Sequence, residues 1–188
     1  MQSVITRRPD GIAREVRINI VQGTTYVTDN PEAMLTAVLG SCVACCLFDP
    51  IRRVGGMNHF LLPEPGADMA RDSAEAERYG LLAMELLINA MIKQGASRRD
   101  MRAHLYGGAN MHSGMQSIGT RNADFARKFL RDDGIALNHT HLGGTSARRI
   151  DFRAALGQVR CRVVVERVPS EVNRSKPPLK RSEPEFFS

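Results

Sequence analysis

Thr36-Ala-Val-Leu-Gly-Ser-Cys-Val-Ala-Cys-Cys-Leu-Phe-Asp-Pro-Ile-Arg-Arg-Val-Gly-Gly-Met-Asn-His59 holds two short apolar runs on either side of a turn. Val43–Phe48 is apolar and of strand length. Asp49-Pro50-Ile51-Arg52 carries turn chemistry, because Pro presets φ and Asp bonds its own backbone, and Val54–Leu62 is apolar again. The stretch predicts a β-hairpin. Pairing Phe48 with Arg53 around that loop sets Cys42 directly opposite His59, with both side chains on one face. A register two residues longer makes the pair a diagonal that an imidazole still spans, whereas a slip by one puts the two on opposite faces.

A thiol and an imidazole so placed suit acyl transfer. A free thiol with a pKa near ~8.5 becomes largely thiolate only where an imidazolium or a backbone dipole stabilises the charge. Thr36 is a candidate to orient the ring from the nitrogen that does not face sulfur. The Gly40-Ser41 turn can expose the backbone N–H groups of Ser41 and Cys42 as an oxyanion hole. Taken singly, each residue has a plainer role: a cysteine at a strand start is usually a small buried hydrophobe, a strand histidine a satisfied core residue, a threonine beside glycine a turn. Their convergence in one hairpin favours the catalytic alternative.

Leu39-Gly-Ser-Cys-Val43, Cys46-Leu-Phe-Asp-Pro50, Gly55-Gly-Met-Asn-His-Phe-Leu-Leu-Pro63, Arg78-Tyr-Gly80, Glu85-Leu-Leu-Ile-Asn89, Tyr106-Gly-Gly-Ala109 and Ile118-Gly-Thr-Arg-Asn122 resemble, in order, the CheD family of chemoreceptor glutamine deamidases. The resemblance runs from about Val21 to Val168. It implies that Cys42 is the nucleophile, His59 the general base and acid, and Thr36 the third member of a triad. It also implies two packed sheet layers, a substrate in the helical cytoplasmic bundles of chemoreceptors, and a phosphatase of the CheC type as a further partner. Cys45 departs from the family, which more usually has an aliphatic residue there.

Composition bounds the remaining possibilities. The chain has 188 residues, 43% of them hydrophobic, enough for one domain with a real core. No apolar stretch approaches the roughly 18 residues of a membrane span, and the first residues lack the apolar centre of a signal peptide, so a cytoplasmic protein without membrane insertion is expected. Cys42, Cys45, Cys46 and Cys161 invite a redox or metal assignment. Alternation along a strand points Cys42 and Cys45 to opposite faces, which disfavours a disulfide. A single such pair with scattered histidines disfavours zinc, and no cofactor is expected. The net charge of +6 raises nucleic acid as a partner, but the basic residues are interleaved with acidic ones, Trp is absent and no nucleic-acid motif occurs. A solvated basic surface is the plainer reading; the same charge can instead favour an acidic protein surface, mainly by raising the encounter rate.

The expected organisation is an arm over 1–20 containing a short strand at Val16, Ile18 and Ile20, a deamidase-like domain over 21–168, and a disordered tail over 169–188. Ser73–Gln94 predicts a long, deeply buried helix with Tyr79, Leu82, Ala83, Leu86 and Ala90 at helical spacing. Asn122–Asp132 predicts a second helix, stopped by Gly134. Further strands are expected near Ala103–Tyr106, Ala136–His141 and Gln158–Glu166. Gly107-Gly108 lacks the lysine and helix of a phosphate loop, so a turn, or a wall of the cleft together with Ile118–Asn122, is expected. The fold class is α+β: a mixed β core with helices outside, of the CheD-like cysteine hydrolase type. Two alternatives to a cysteine deamidase remain, a non-catalytic interaction module binding a CheC-type phosphatase or receptor, and a thiol redox protein.

Overall fold

Apolar residues alternating along short strands need a second layer to cover them, and here two sheets cover one another. The computed structural model describes residues 3–5, 15–63, 69–111 and 118–164; the expected tail lies outside them. The strands are β1 (Ser3–Ile5), β2 (Val16–Asn19), β3 (Thr24–Thr28), β4 (Ala33–Leu39), β5 (Val43–Asp49), β6 (Val54–His59), β7 (Arg102–Gly107), β8 (Ala136–Leu142), β9 (Arg148–Arg153) and β10 (Gln158–Val163). One sheet has the order β1-β2-β4-β9-β10, the other β3-β6-β5-β7-β8, and both mix parallel with antiparallel pairs. Two helices, α1 (Met69–Lys93) and α2 (Ile118–Asp132), pack on the outer side of the second sheet.

Two cores result. Ile18, Ile20, Leu35, Ala37, Leu39, Ile150 and Phe152 of the first sheet meet Ala44, Cys46, Met57 and Tyr106 of the second. On the other face of the second sheet, Val43, Cys45 and Leu47 meet Met84, Leu87, Ile88 and Met91 of α1 and Ala126, Phe129 and Leu130 of α2. The α+β expectation with helices outside a two-layered β core is therefore met.

Three expectations change. The boundary at 21 falls inside the fold, because Ile18 and Ile20 are buried and β2 pairs in parallel with β4. Helix α1 is not buried all round: Ala76, Met84, Leu87, Ile88 and Met91 face the core, whereas Tyr79, Leu82 and Leu86 of the expected stripe are exposed. One sheet face can cover only one side of a helix. Strand β9 was hidden by its arginines, yet Ile150 and Phe152 point inward, and buried Arg148 donates to the carbonyls of Gly107, His141 and Gly143.

Candidate active site

The hairpin forms with its loop one residue further on than expected. Asp49 still pairs, with Val54, and the loop is 50–53, where Arg53 takes a positive φ of 55°. The reason is the Asp49 carboxylate, which caps the loop from within the strand. It accepts from the N–H groups of Ile51 (2.9 Å) and Arg52 (3.0 Å), and from Ser97 N–H (2.9 Å). Burial alone would raise this carboxyl; the donors from Ser97, Arg52 and Ile51 outweigh it and hold it below the ordinary carboxylate value. With Cys46 opposite Met57 and Val43 opposite Phe60, Cys42 and His59 are diagonal neighbours instead of a direct pair. Both lie on the face that looks between the sheets, since Cys42 packs against the same cluster as Ala44, Cys46 and Met57.

The loop that carries Cys42 is tied down through its carbonyls. Ala109 N–H donates to Gly40 O (2.8 Å), Gly108 N–H to Cys42 O (2.7 Å) and the buried Asn122 side chain to Ser41 O (3.0 Å). Asn122 also accepts from Leu62 N–H at 2.8 Å, so one amide braces both the loop that carries Cys42 and the exit of the hairpin. Gly107 must be glycine: its φ is 109°, and a Cβ there would collide with the Cys42 carbonyl. With their carbonyls engaged, Ser41 and Cys42 have no backbone acceptor for their own N–H groups among the described residues. Two donors are thus left beside the thiol.

His59 is 7% exposed, and its Nδ1 lies 3.0 Å from the carbonyl oxygen of Ile20, which fixes the ring and places the proton on Nδ1. Nε2 is buried without a hydrogen-bond partner, a free acceptor. Burial lowers the imidazole pKa, opposed by the Ile20 contact. Burial likewise raises that of Cys42, opposed by the residue's own backbone N–H. Both shifts favour the neutral thiol and the neutral imidazole over an ion pair. The thiol itself donates to Gln22 Oε1 at 3.3 Å.

Thr36 requires a correction. Leu35, Ala37 and Leu39 point into the inter-sheet core, so the Thr36 side chain points to the opposite face of its sheet, and the ring of His59 is held by Ile20 instead. The backbone carbonyl of Thr36 accepts from Ile20 N–H at 2.8 Å. Ile20, Gln22 and Asn122 were missed as site residues. A backbone carbonyl has no sequence signature, although the Val16, Ile18, Ile20 alternation marked the strand that delivers it.

The other cysteines separate as strand alternation requires. Cys45 faces the helices and Cys46 the inter-sheet core, both fully buried, and burial pushes the Cys45 thiol up to about 12. All four thiols are free. A second thiol–imidazole contact occurs at Cys161, whose sulfur lies 3.4 Å from His141 Nδ1. A small cleft of about 110 Å³ opens beside His59, lined by Gly23, Asn58, Tyr79, Leu82 and Leu86. A larger cavity, about 410 Å³, lies elsewhere, on the outer face of the first sheet among Arg17, Asp151 and Arg153.

The chain is similar to several known proteins. The "Probable chemoreceptor glutamine deamidase CheD" of Zymomonas mobilis is 53% identical over 156 residues, 82% of this chain and 84% of that one. The protein of the same description from Caulobacter vibrioides is 48% identical over 170 residues, 90% of each chain. The solved structure of the Bacillus licheniformis hypothetical protein YfiH aligns with a TM-score of 0.42 at 16% identity, covering 64% of this chain and 51% of that one, a likeness too slight to argue from. The family model described as "CheD chemotactic sensory transduction" matches residues 61–163, a span that begins just past His59. With relatives this similar over most of its length, the chain belongs to the CheD family.

Proposed function

We propose that this protein deamidates glutamine side chains of chemoreceptors, with Cys42 as nucleophile and His59 as base and acid. The observation that carries the reading is the buried Nε2 of an imidazole locked by Ile20, diagonal to a thiol; among the described residues neither that Nε2 nor the N–H groups flanking the thiol has a hydrogen-bond partner. In this mechanism Nε2 takes the Cys42 proton and the thiolate adds to the substrate amide carbon. Ser41 and Cys42 N–H groups stabilise the oxyanion, and the His59 proton leaves with ammonia. Water, activated by His59, then hydrolyses the thioester to glutamate. A glutamate methyl ester presents the same acyl centre with a better leaving group, so esterase activity is an expected side reaction.

The relatives' description names a chemoreceptor, and the cleft fits a protein substrate, since its rim includes Leu82 and Leu86, 57% and 52% exposed. Among the described residues no helix is long and apolar enough to cross a membrane, and the proposed place of action is the cytoplasm, where receptor bundles are reached. A CheC-type phosphatase is the proposed regulatory partner. Cys42 acts as a single thiol here, because Cys45 faces the helices. The test is mass analysis of a receptor cytoplasmic fragment after incubation: the wild type should convert glutamine to glutamate and release ammonia, and His59→Ala should not. Equal conversion by both would refute the assignment.

A further inference from the structure

The mechanism leaves unused the group that the Cys42 thiol actually touches. Gln22 lies twenty positions away in sequence, yet its carboxamide oxygen accepts from Cys42 Sγ at 3.3 Å, the thiol's side-chain partner among the described residues. Its chain segment is tied to His59. Val21–Thr24 forms a tight turn closed by Thr24 N–H on Val21 O (3.1 Å), with Gly23 at a φ of 81°. The turn and the residue before it hold His59 on two sides: Ile20 O lies 3.0 Å from its Nδ1, and Gly23 N–H donates to its backbone carbonyl at 2.7 Å. The carboxamide, the imidazole and the thiol are therefore held as one constellation.

A carboxamide has a property that this position needs. A neutral thiol can donate, but a thiolate can only accept, so its partner must change from acceptor to donor when the proton leaves. A glutamine does this by turning over about its last torsion, exchanging oxygen for NH₂ across a broad, two-fold barrier. We propose that Gln22 is a catalytic residue: it accepts from the resting Cys42 thiol, then donates through Nε2 to the thiolate and to the oxyanion that follows. The proposal rests on the deamidase reading and adds a third donor to Ser41 and Cys42 N–H. The sulfur proton passes to His59 Nε2, the S–C bond forms as the carbonyl electron pair moves to oxygen, and the C–N bond then breaks as ammonia leaves with the His59 proton. Water restores the thiol, and Gln22 is chemically unchanged throughout.

The test compares wild type with Gln22→Met, which keeps length but neither donates nor accepts well, and with Gln22→Glu, which can only accept. Gln22 is exposed, so neither change removes core packing. Two readouts are taken: the pH dependence of iodoacetamide alkylation of Cys42, resolved by peptide, and kcat and KM on a receptor fragment. Gln22→Met should move the alkylation midpoint up and lower kcat by about 10²–10³-fold, the usual cost of one oxyanion donor, with KM little changed. Gln22→Glu should move the midpoint further, because its carboxylate repels the thiolate. The proposal is overturned if Gln22→Met keeps the wild-type midpoint and kcat. It is also overturned if residue 22 of the purified wild type is found as glutamate while the Cys42→Ala protein retains glutamine, since the carboxamide would then be the enzyme's own substrate. Alkylation needs no receptor, so failure of the deamidase reading would appear as an inactive wild type and leave the midpoint comparison intact.

Discussion

Among the described residues there are two thiol–imidazole sites, and the one with the closer contact is the poorer candidate for catalysis. Cys161 on edge strand β10 lies 3.4 Å from His141 Nδ1 on edge strand β8. At the other site the thiol is bonded to Gln22 and the ring to Ile20. What distinguishes them is the surrounding backbone. Around Cys42 three consecutive carbonyls are anchored, two N–H groups are left over and the imidazole is locked with one nitrogen free. His141 is exposed at a sheet edge, and Cys161 sits inside the regular ladder that β10 forms with β9 rather than on a loop of anchored carbonyls. A contact places two groups together; preorganised donors around them stabilise the charge that develops.

The largest effect that sharpens this contrast is on the two histidines. His59→Ala should lower kcat by about 10²–10⁴-fold, the usual contribution of a positioned base, while His141→Ala leaves it near the wild-type value. Equivalent losses would erase the distinction between the sites. Next comes the loop support. Gly107→Ala forces both a strained φ and a collision with the Cys42 carbonyl, and should cost about 1–3 kcal/mol of stability in denaturant titration together with most of the activity. Asn122→Ala removes the brace on Ser41 and leaves Leu62 N–H unpaired, for about 1–3 kcal/mol and a lowered kcat. A Gly107→Ala protein with normal turnover would mean that the loop geometry does not matter.

The pH dependence separates the thiols further. Burial raises Cys42 above an ordinary thiol, so its alkylation should climb with pH through a midpoint above ~8.5, while Cys45, pushed up to about 12, stays unlabelled in the native protein. The smallest effect is expected at Thr36. Thr36→Val keeps the backbone carbonyl that supports Ile20, so turnover should barely change; a large fall in kcat would restore its hydroxyl to the site.

Much of this was legible in the chain. The apolar run, turn and second apolar run from Val43 to Leu62 specify the hairpin, and the pairing of Cys42 with His59 on one face survives a loop shift because that shift moves the register by two. The shift itself was not legible, since Asp49 reads equally well as a loop residue or as a strand residue capping the loop. The orienting group was out of reach for a different reason: Ile20 acts through its carbonyl, which every residue possesses. In α1 the apolar spacing had two overlapping stripes, and only the packing against the sheet decided that Met84, Leu87, Ile88 and Met91 go inward. Strand β9 was not legible because its inward Ile150 and Phe152 are interleaved with arginines and an aspartate, and a buried arginine satisfied by carbonyls leaves no apolar signal.

The central claim is that Cys42, not the thiol already touching a histidine, carries the acyl group. The most direct measurement is intact-protein and peptide mass analysis after mixing a receptor cytoplasmic fragment with wild type, Cys42→Ala and Cys161→Ala. The account predicts glutamine-to-glutamate conversion by wild type and Cys161→Ala alike, none by Cys42→Ala, and any acid-trapped thioester on the peptide containing Cys42. Conversion that survives Cys42→Ala, or disappears with Cys161→Ala in a folded protein, would contradict it.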